Sequence, residues 1–160
     1  MKFIKEMIPY VVILLIVVMI RSFIATPVIV SGESMDDTLN DGDILLLAKF
    51  DKSYERYDIV VFDYNNSKLV KRVIGLPGDH VKYDEGILYI NGEKVEDDFA
   101  NETYDFDLSY LGYDVIPEGY YFVMGDNRMK SSDSRIIGLI NEEDINGTAI
   151  FSIWPFTKID

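Results

Sequence analysis

The chain has 160 residues, with 28 acidic and 15 basic side chains, one histidine and no cysteine. The length suits one domain, and 48% hydrophobic residues are too many for a disordered acidic tail. A net charge of −13 argues against nucleic acid as a partner, and the lack of cysteine excludes disulfide scaffolds, thiolate zinc sites and cysteine nucleophiles.

The charge is unevenly placed. Residues 1–21 carry Lys2, Lys5 and Arg21 against Glu6, a net +2, while the remaining 139 residues carry a net −15. Ile8 to Ile20 is unbroken apolar sequence, Arg21 interrupts it, and Phe23 to Ala25 continue it. Residues 8–25 are 18 in number, enough to span a bilayer if Arg21 snorkels to the headgroups. Pro9 is expected in the first turn, where a missing N–H is harmless. No small-residue cleavage pattern follows: a cut after Ala25 would have the bulky Phe23 two residues before it. The reading is a cytoplasmic tail (1–7), a permanent transmembrane anchor (8–25) and an extracytoplasmic domain (26–160), with Lys2 and Lys5 holding the N-terminus inside.

After the break at Thr26-Pro27, the β-branched Val28 to Val30 reads as a strand. The turn Asp41-Gly42-Asp43 leads into a strand over Ile44 to Ala48. Tyr57 to Tyr64 and Lys68 to Ile74 are two more, joined at Asn65-Asn66-Ser67. Ile87 to Ile90, Asn91-Gly92 and Glu93 to Val95 form a hairpin signal, because Asn-Gly fits a type I′ turn. Glu96 to Asp114 is acidic and aromatic, and is expected to be a solvated excursion. Tyr120 to Met124 reads as a strand, Asn141 to Ile145 as one helical turn and Thr148 to Ile153 as the last strand. The body is therefore expected to be mainly β.

Three segments carry candidate chemistry. Ser34 lies in a loop after the first strand, with Gly32 close by to let backbone N–H groups approach a carbonyl. Lys71 shares a strand face with Leu69 and Val73, so its ammonium is partly desolvated and its pKa drawn toward that of a general base. An edge-strand lysine pointing into water is the plainer alternative. The third is the polar block from Gly125 to Gly138, which on its own reads as a turn with paired charges.

Together these blocks resemble the bacterial type I signal peptidases, membrane-anchored serine proteases with a Ser/Lys dyad. The resemblance rests on Gly32 to Leu39, Gly42 to Leu45, Arg56 to Phe62, Lys71 to Asp79, the Gly125 to Gly138 block and Trp154-Pro155, in the family's order behind an N-terminal anchor. The single anchor and compact body look like the Gram-positive branch.

The resemblance implies a compact β-sheet catalytic domain and removal of signal peptides from exported preproteins through an acyl-enzyme. It assigns Ser34 as nucleophile, Lys71 as general base and Ser131 as the hydroxyl orienting the lysine. The Ser34 N–H becomes part of the oxyanion hole, with only backbone available at Gly32, where other members carry a serine. Val28, Val30, Met35, Leu39, Leu69 and Val70 match the shallow S1 and S3 sites that select A-x-A-like sequences. Arg72, Asp133 and Arg135 match a structural charge cluster. The chain departs from the family at Asp37, where a proline is usual. That departure keeps open a second reading, a weak or inactive tethered homologue that binds signal peptides.

No cofactor or metal is expected; Asp97, Asp98, Asp105 and Asp107 lack the glycine and closing glutamate of a calcium loop. The partners implied are signal peptides and the lipid bilayer. Thirteen positions from Arg21 to Ser34 reach about 45 Å at most, which keeps the site near the outer membrane surface. Trp154 and Phe156 are candidates for contact with the interface. His80, past the Pro77-Gly78-Asp79 turn, is expected at the surface and outside the chemistry.

Overall fold

A computed structural model describes residues 2–23, 25–36, 38–49, 52–99 and 102–159. Asp37, the departure from the family pattern, lies outside the described residues. The chain opens with α1 (Lys2–Phe23). It begins six residues before the expected apolar stretch, so Pro9 falls inside the helix and not in its first turn. The side chains of α1 are described over residues 6–19, and the large apolar ones from Met7 to Met19 are exposed. No helix among the described residues is long and apolar enough to cross a membrane.

The strands are β1 (Ala25–Ile29), β2 (Ile44–Ala48), β3 (Ile59–Tyr64), β4 (Ser67–Gly75), β5 (Val81–Asp84), β6 (Ile87–Ile90), β7 (Glu93–Val95), β8 (Phe106–Asp107), β9 (Tyr120–Met124), β10 (Ile140–Asn141), β11 (Ile145–Trp154) and β12 (Phe156–Lys158). One short helix, α2 (Ser134–Ile137), follows β9. Among the described residues the strands form two antiparallel sheets. The larger runs β1-β2-β11-β3-β4-β9-β10, with β12 on β11; the smaller runs β7-β6-β5-β8. The expectation of a mainly β body holds.

Local signals carry the best-read elements. Asn91 and Gly92 have φ of 54° and 83°, as a type I′ turn requires, and β6 and β7 pair across them. Asn65 and Asn66 also take positive φ, at 47° and 63°, and turn β3 into β4 in register Tyr64 opposite Ser67.

The segment 96–114 corrects the expectation of a solvated excursion. Phe106 and Leu108 are buried, and with Ile74, Val81, Tyr83, Leu88, Ile116 and Phe122 they make the core between the two sheets. The acidic side chains that suggested solvation alternate with these apolar ones, and the side chain of half-buried Asp97 lies against Arg128.

Two further clusters lie on opposite faces of the large sheet. Val30, Met35, Leu39, Leu45, Leu47, Ile59, Val61, Val70 and Ala149 form one. Tyr54, Val60, Phe62, Val73, Tyr121, Val123, Ile140 and Ile145 form the other. Neighbours along β3 and β4 alternate between the clusters, as the period of two demands.

Candidate active site

Ser34 sits in a loop tied off at its base: the Val30 N–H donates to the Asp43 carbonyl (2.8 Å) and the Gly42 N–H to the Val30 carbonyl (3.0 Å). Within the loop, Thr38 N–H (3.1 Å) and Leu39 N–H (2.8 Å) both donate to the Met35 carbonyl, making a single turn. Met35 and Leu39 are buried beneath it, so the turn presents the half-buried Ser34 outward.

Lys71 comes from the middle of β4, opposite Val60 of β3. It is 2% exposed. Its Nζ donates to Ser34 Oγ at 2.7 Å and to the Val70 carbonyl at 2.9 Å. Burial pulls its pKa down from 10.5 to about 8, while the carboxylates of Asp133 and Asp126 pull the other way. A lysine in this state gives up its proton within reach of ordinary pH, and its nitrogen already faces the serine hydroxyl.

The other assigned residues separate into those the fold gathers and those it does not. Val28, Val30, Met35, Leu39 and Val70 belong to one apolar cluster beside Ser34. Leu69 does not join them: strand alternation turns it to the opposite face, against the cluster of Val60, Phe62 and Val73. Gly32 has φ 93°, and its N–H already donates to Asp41 Oδ1 at 2.8 Å, so that amide is not free for an oxyanion. No hydrogen bond to the Ser34 N–H is formed among the described residues.

Ser131 is buried against Gly125, yet its Oγ has no hydrogen-bond partner among the described residues. The lysine is held here by Ser34 and Val70, not by Ser131. A Cβ at Gly125 would collide with both Ser131 Oγ and the Ser34 carbonyl oxygen, so this glycine is what lets the two serines approach one strand end.

The expected charge cluster divides into separate pairs. Arg72 pairs with Asp126, not Asp133: Nη2 to Oδ2 is 2.8 Å and Nε to Oδ1 3.0 Å, and neither side chain is exposed. Arg72 also donates to the Tyr57 carbonyl and lies 3.5 Å from the centroid of the Phe99 ring. Asp133 caps α2, pairs with Arg135 at 2.8 Å, and accepts the Gly125 N–H at 3.1 Å. Asp126 and Phe99 were not singled out in the sequence, and Asp97 was weighed there only as a calcium ligand. Asp126 lies two residues past the end of β9, but its partner becomes visible only once β9 is known to pair with β4. His80 sits apart from this network, with Nδ1 on the Asp114 carbonyl (2.7 Å) and Nε2 facing Asp107.

Residues 3–154 match the family described as signal peptidase, peptidase S26. Signal peptidase IB of Staphylococcus aureus is 38% identical, over 89% of this chain and 85% of its own length. Signal peptidase I of Bacillus licheniformis is 42% identical, over 88% and 83% respectively. The crystal structure of a signal peptidase I from Enterococcus faecalis superposes with a TM-score of 0.57 at 38% identity, covering 60% of this chain and 96% of that one.

The Arg72–Asp126 pair generates the first prediction. Asp126→Ala leaves a guanidinium buried without its counter-charge, and is expected to cost about 3–5 kcal/mol of stability, read as a lowered thermal unfolding midpoint.

Proposed function

The chain belongs to the S26 signal peptidase family, and from that premise we propose that Ser34 is its nucleophile and Lys71 its general base. The protein is a serine-type peptidase that removes signal peptides from preproteins. The observation that carries the dyad is the 2.7 Å hydrogen bond from Lys71 Nζ to Ser34 Oγ, made by a lysine whose pKa burial has lowered.

With Lys71 neutral, its lone pair takes the Ser34 proton as Oγ attacks the scissile carbonyl. The developing oxyanion meets the Ser34 N–H; Gly32 contributes no hydroxyl, and its amide is engaged by Asp41. The lysinium then returns its proton to the leaving amine, and Lys71 activates water to release the acyl group. Ser131, buried close to Gly125 with an Oγ that has no partner among the described residues, is a second hydroxyl within this locus and fits a role in steadying the lysine once it carries charge.

The substrate reading follows from the sheet. β9 pairs with β4 only from Arg72 onward, so the Ser67 to Lys71 stretch keeps one edge without a strand partner among the described residues. β1 is an edge strand too. Val28 from β1 and Val70 from β4 pack on the same apolar cluster, so an extended peptide between these edges would lie over Val30, Met35 and Leu39. A floor already filled by these side chains leaves room for alanine-sized residues, consistent with A-x-A-like cleavage sites.

We place the protein in the cell membrane, N-terminus inside and catalytic domain outside. Three features support this. The large apolar side chains of α1 from Met7 to Met19 are exposed. The sequence around them extends the apolar stretch to residues 8–25. Trp154 and Phe156, 70% and 82% exposed, offer aromatic surface suited to headgroups.

Ser34→Ala and Lys71→Ala are each expected to abolish preprotein processing; wild-type rates in either would sink the dyad. In the wild type, kcat/KM is expected to climb with pH through an acid limb near 8, because protonated Lys71 cannot accept the serine proton. A limb near 10 would mean a solvated lysine. The full chain is expected to resist alkaline extraction from membranes, and a chain starting at residue 26 to be released.

A further inference from the structure

The nucleophile turn is fastened to the loop after β9 at three points, of which the Lys130–Glu33 ion pair (2.6 Å) is exposed to solvent. The Asn127 N–H donates to the Ser34 carbonyl at 3.1 Å. Thr38 Oγ1 donates to Asp126 Oδ2 at 2.6 Å, a short bond to a charged acceptor. That oxygen is the one that takes Arg72 Nη2 at 2.8 Å. Arg72 is the residue after Lys71, so the contacts close a ring. Ser34 meets Lys71, Lys71 continues into Arg72, Arg72 pairs with Asp126, and Asp126 holds Thr38. The hydrogen-bonded turn then leads from Thr38 back to Ser34.

We propose that Thr38 is a positioning residue, whose hydroxyl docks the Ser34 turn on the Arg72–Asp126 pair and so sets the distance from Ser34 to Lys71. The inference rests on the Ser34–Lys71 reading above. The other supports of the turn are different in kind. Met35 and Leu39 hold it by apolar burial, which is non-directional and tolerates sliding. The Asn127 contact fixes one end only. Thr38 fixes the far end of the turn, directionally, to the strand that carries the base.

The hydroxyl has a second effect. It is one of the donors that offset the charge of Asp126, and Asp126 acts on Lys71. Among the described residues, the charged groups around Lys71 are Asp126 and Asp133, with Arg72 and Arg128 acting on the first and Arg135 paired with the second. Without the Thr38 donor, Asp126 faces the lysine with more of its charge uncompensated, which favours the ammonium. Loss of the hydroxyl therefore both loosens the dyad and makes its base harder to deprotonate.

The test compares full-length wild type, Thr38→Val, Thr38→Ala and Thr38→Ser in detergent micelles. Preprotein turnover is normalised to folded protein measured by thermal unfolding. The valine and alanine variants are expected to lose about ten- to a hundred-fold in kcat, the scale of a misplacement of about 1 Å, with KM little changed and the acid limb at higher pH. Serine is expected to restore both. Wild-type kcat in the valine and alanine variants, an unmoved acid limb, or failure of serine to restore activity would overturn the proposal. So would failure of both the valine and alanine variants to fold, which would make Thr38 a stability residue. Ser34→Ala in the same assay separates the two readings. If it still processes preprotein, the dyad falls; if it is inactive while the Thr38 variants are unimpaired, only the Thr38 proposal falls.

Discussion

The buried pair of Arg72 and Asp126 is the constraint on which the site depends. A guanidinium and a carboxylate without exposure are not a source of net stability, since their desolvation offsets their attraction. What they impose is geometry. Each must find all its partners in one arrangement, and those partners come from five places: the Tyr57 carbonyl before β3, Arg72 in β4, Phe99 in the segment after β7, Asp126 after β9, and Thr38 in the nucleophile turn. An apolar core of the same volume would let these segments settle with some freedom. A fork of guanidinium donors on a carboxylate does not.

Lys71 gains from its place beside that pair. Its neighbourhood is dry enough to lower its pKa, yet it holds two carboxylates, Asp126 and Asp133, that resist the lowering. Each carboxylate has its own arginine, Arg72 for one and Arg135 for the other. The arginines keep the carboxylates occupied, so desolvation prevails at the lysine. The cluster read from the sequence as one structural group is thus two pairs with a shared electrostatic effect on the base.

Much of the fold was legible because it is local. The β6–β7 hairpin lies in Asn91-Gly92, β2 in a run of branched and aliphatic residues after a turn, and the alternation of β4 in Leu69, Lys71 and Val73. The same alternation separates Leu69 from Val70, which the resemblance had grouped in one pocket. The segment 96–114 misled through its composition. Asp105, Phe106, Asp107, Leu108 and Ser109 alternate polar and apolar, and that period, more than the acidic count, foretold burial of Phe106 and Leu108. Asp126 and Thr38 were illegible for another reason. They matter through a contact between residues 88 positions apart, and no local pattern records which carboxylate a buried arginine will choose. The Ser34–Lys71 pair came from the resemblance, while the strand face of Lys71 was readable from the residues alone.

The unpaired edge of β4 has a consequence for register. Ser67 to Lys71 offer backbone groups on the side where β9 has not yet joined. On the substrate reading proposed above, a peptide that completed this edge would cross the mouth of the site beside Lys71, which is buried before any substrate arrives. On that reading, backbone pairing would both hold the substrate and set its register against Ser34 and Lys71, whose side chains already meet at 2.7 Å.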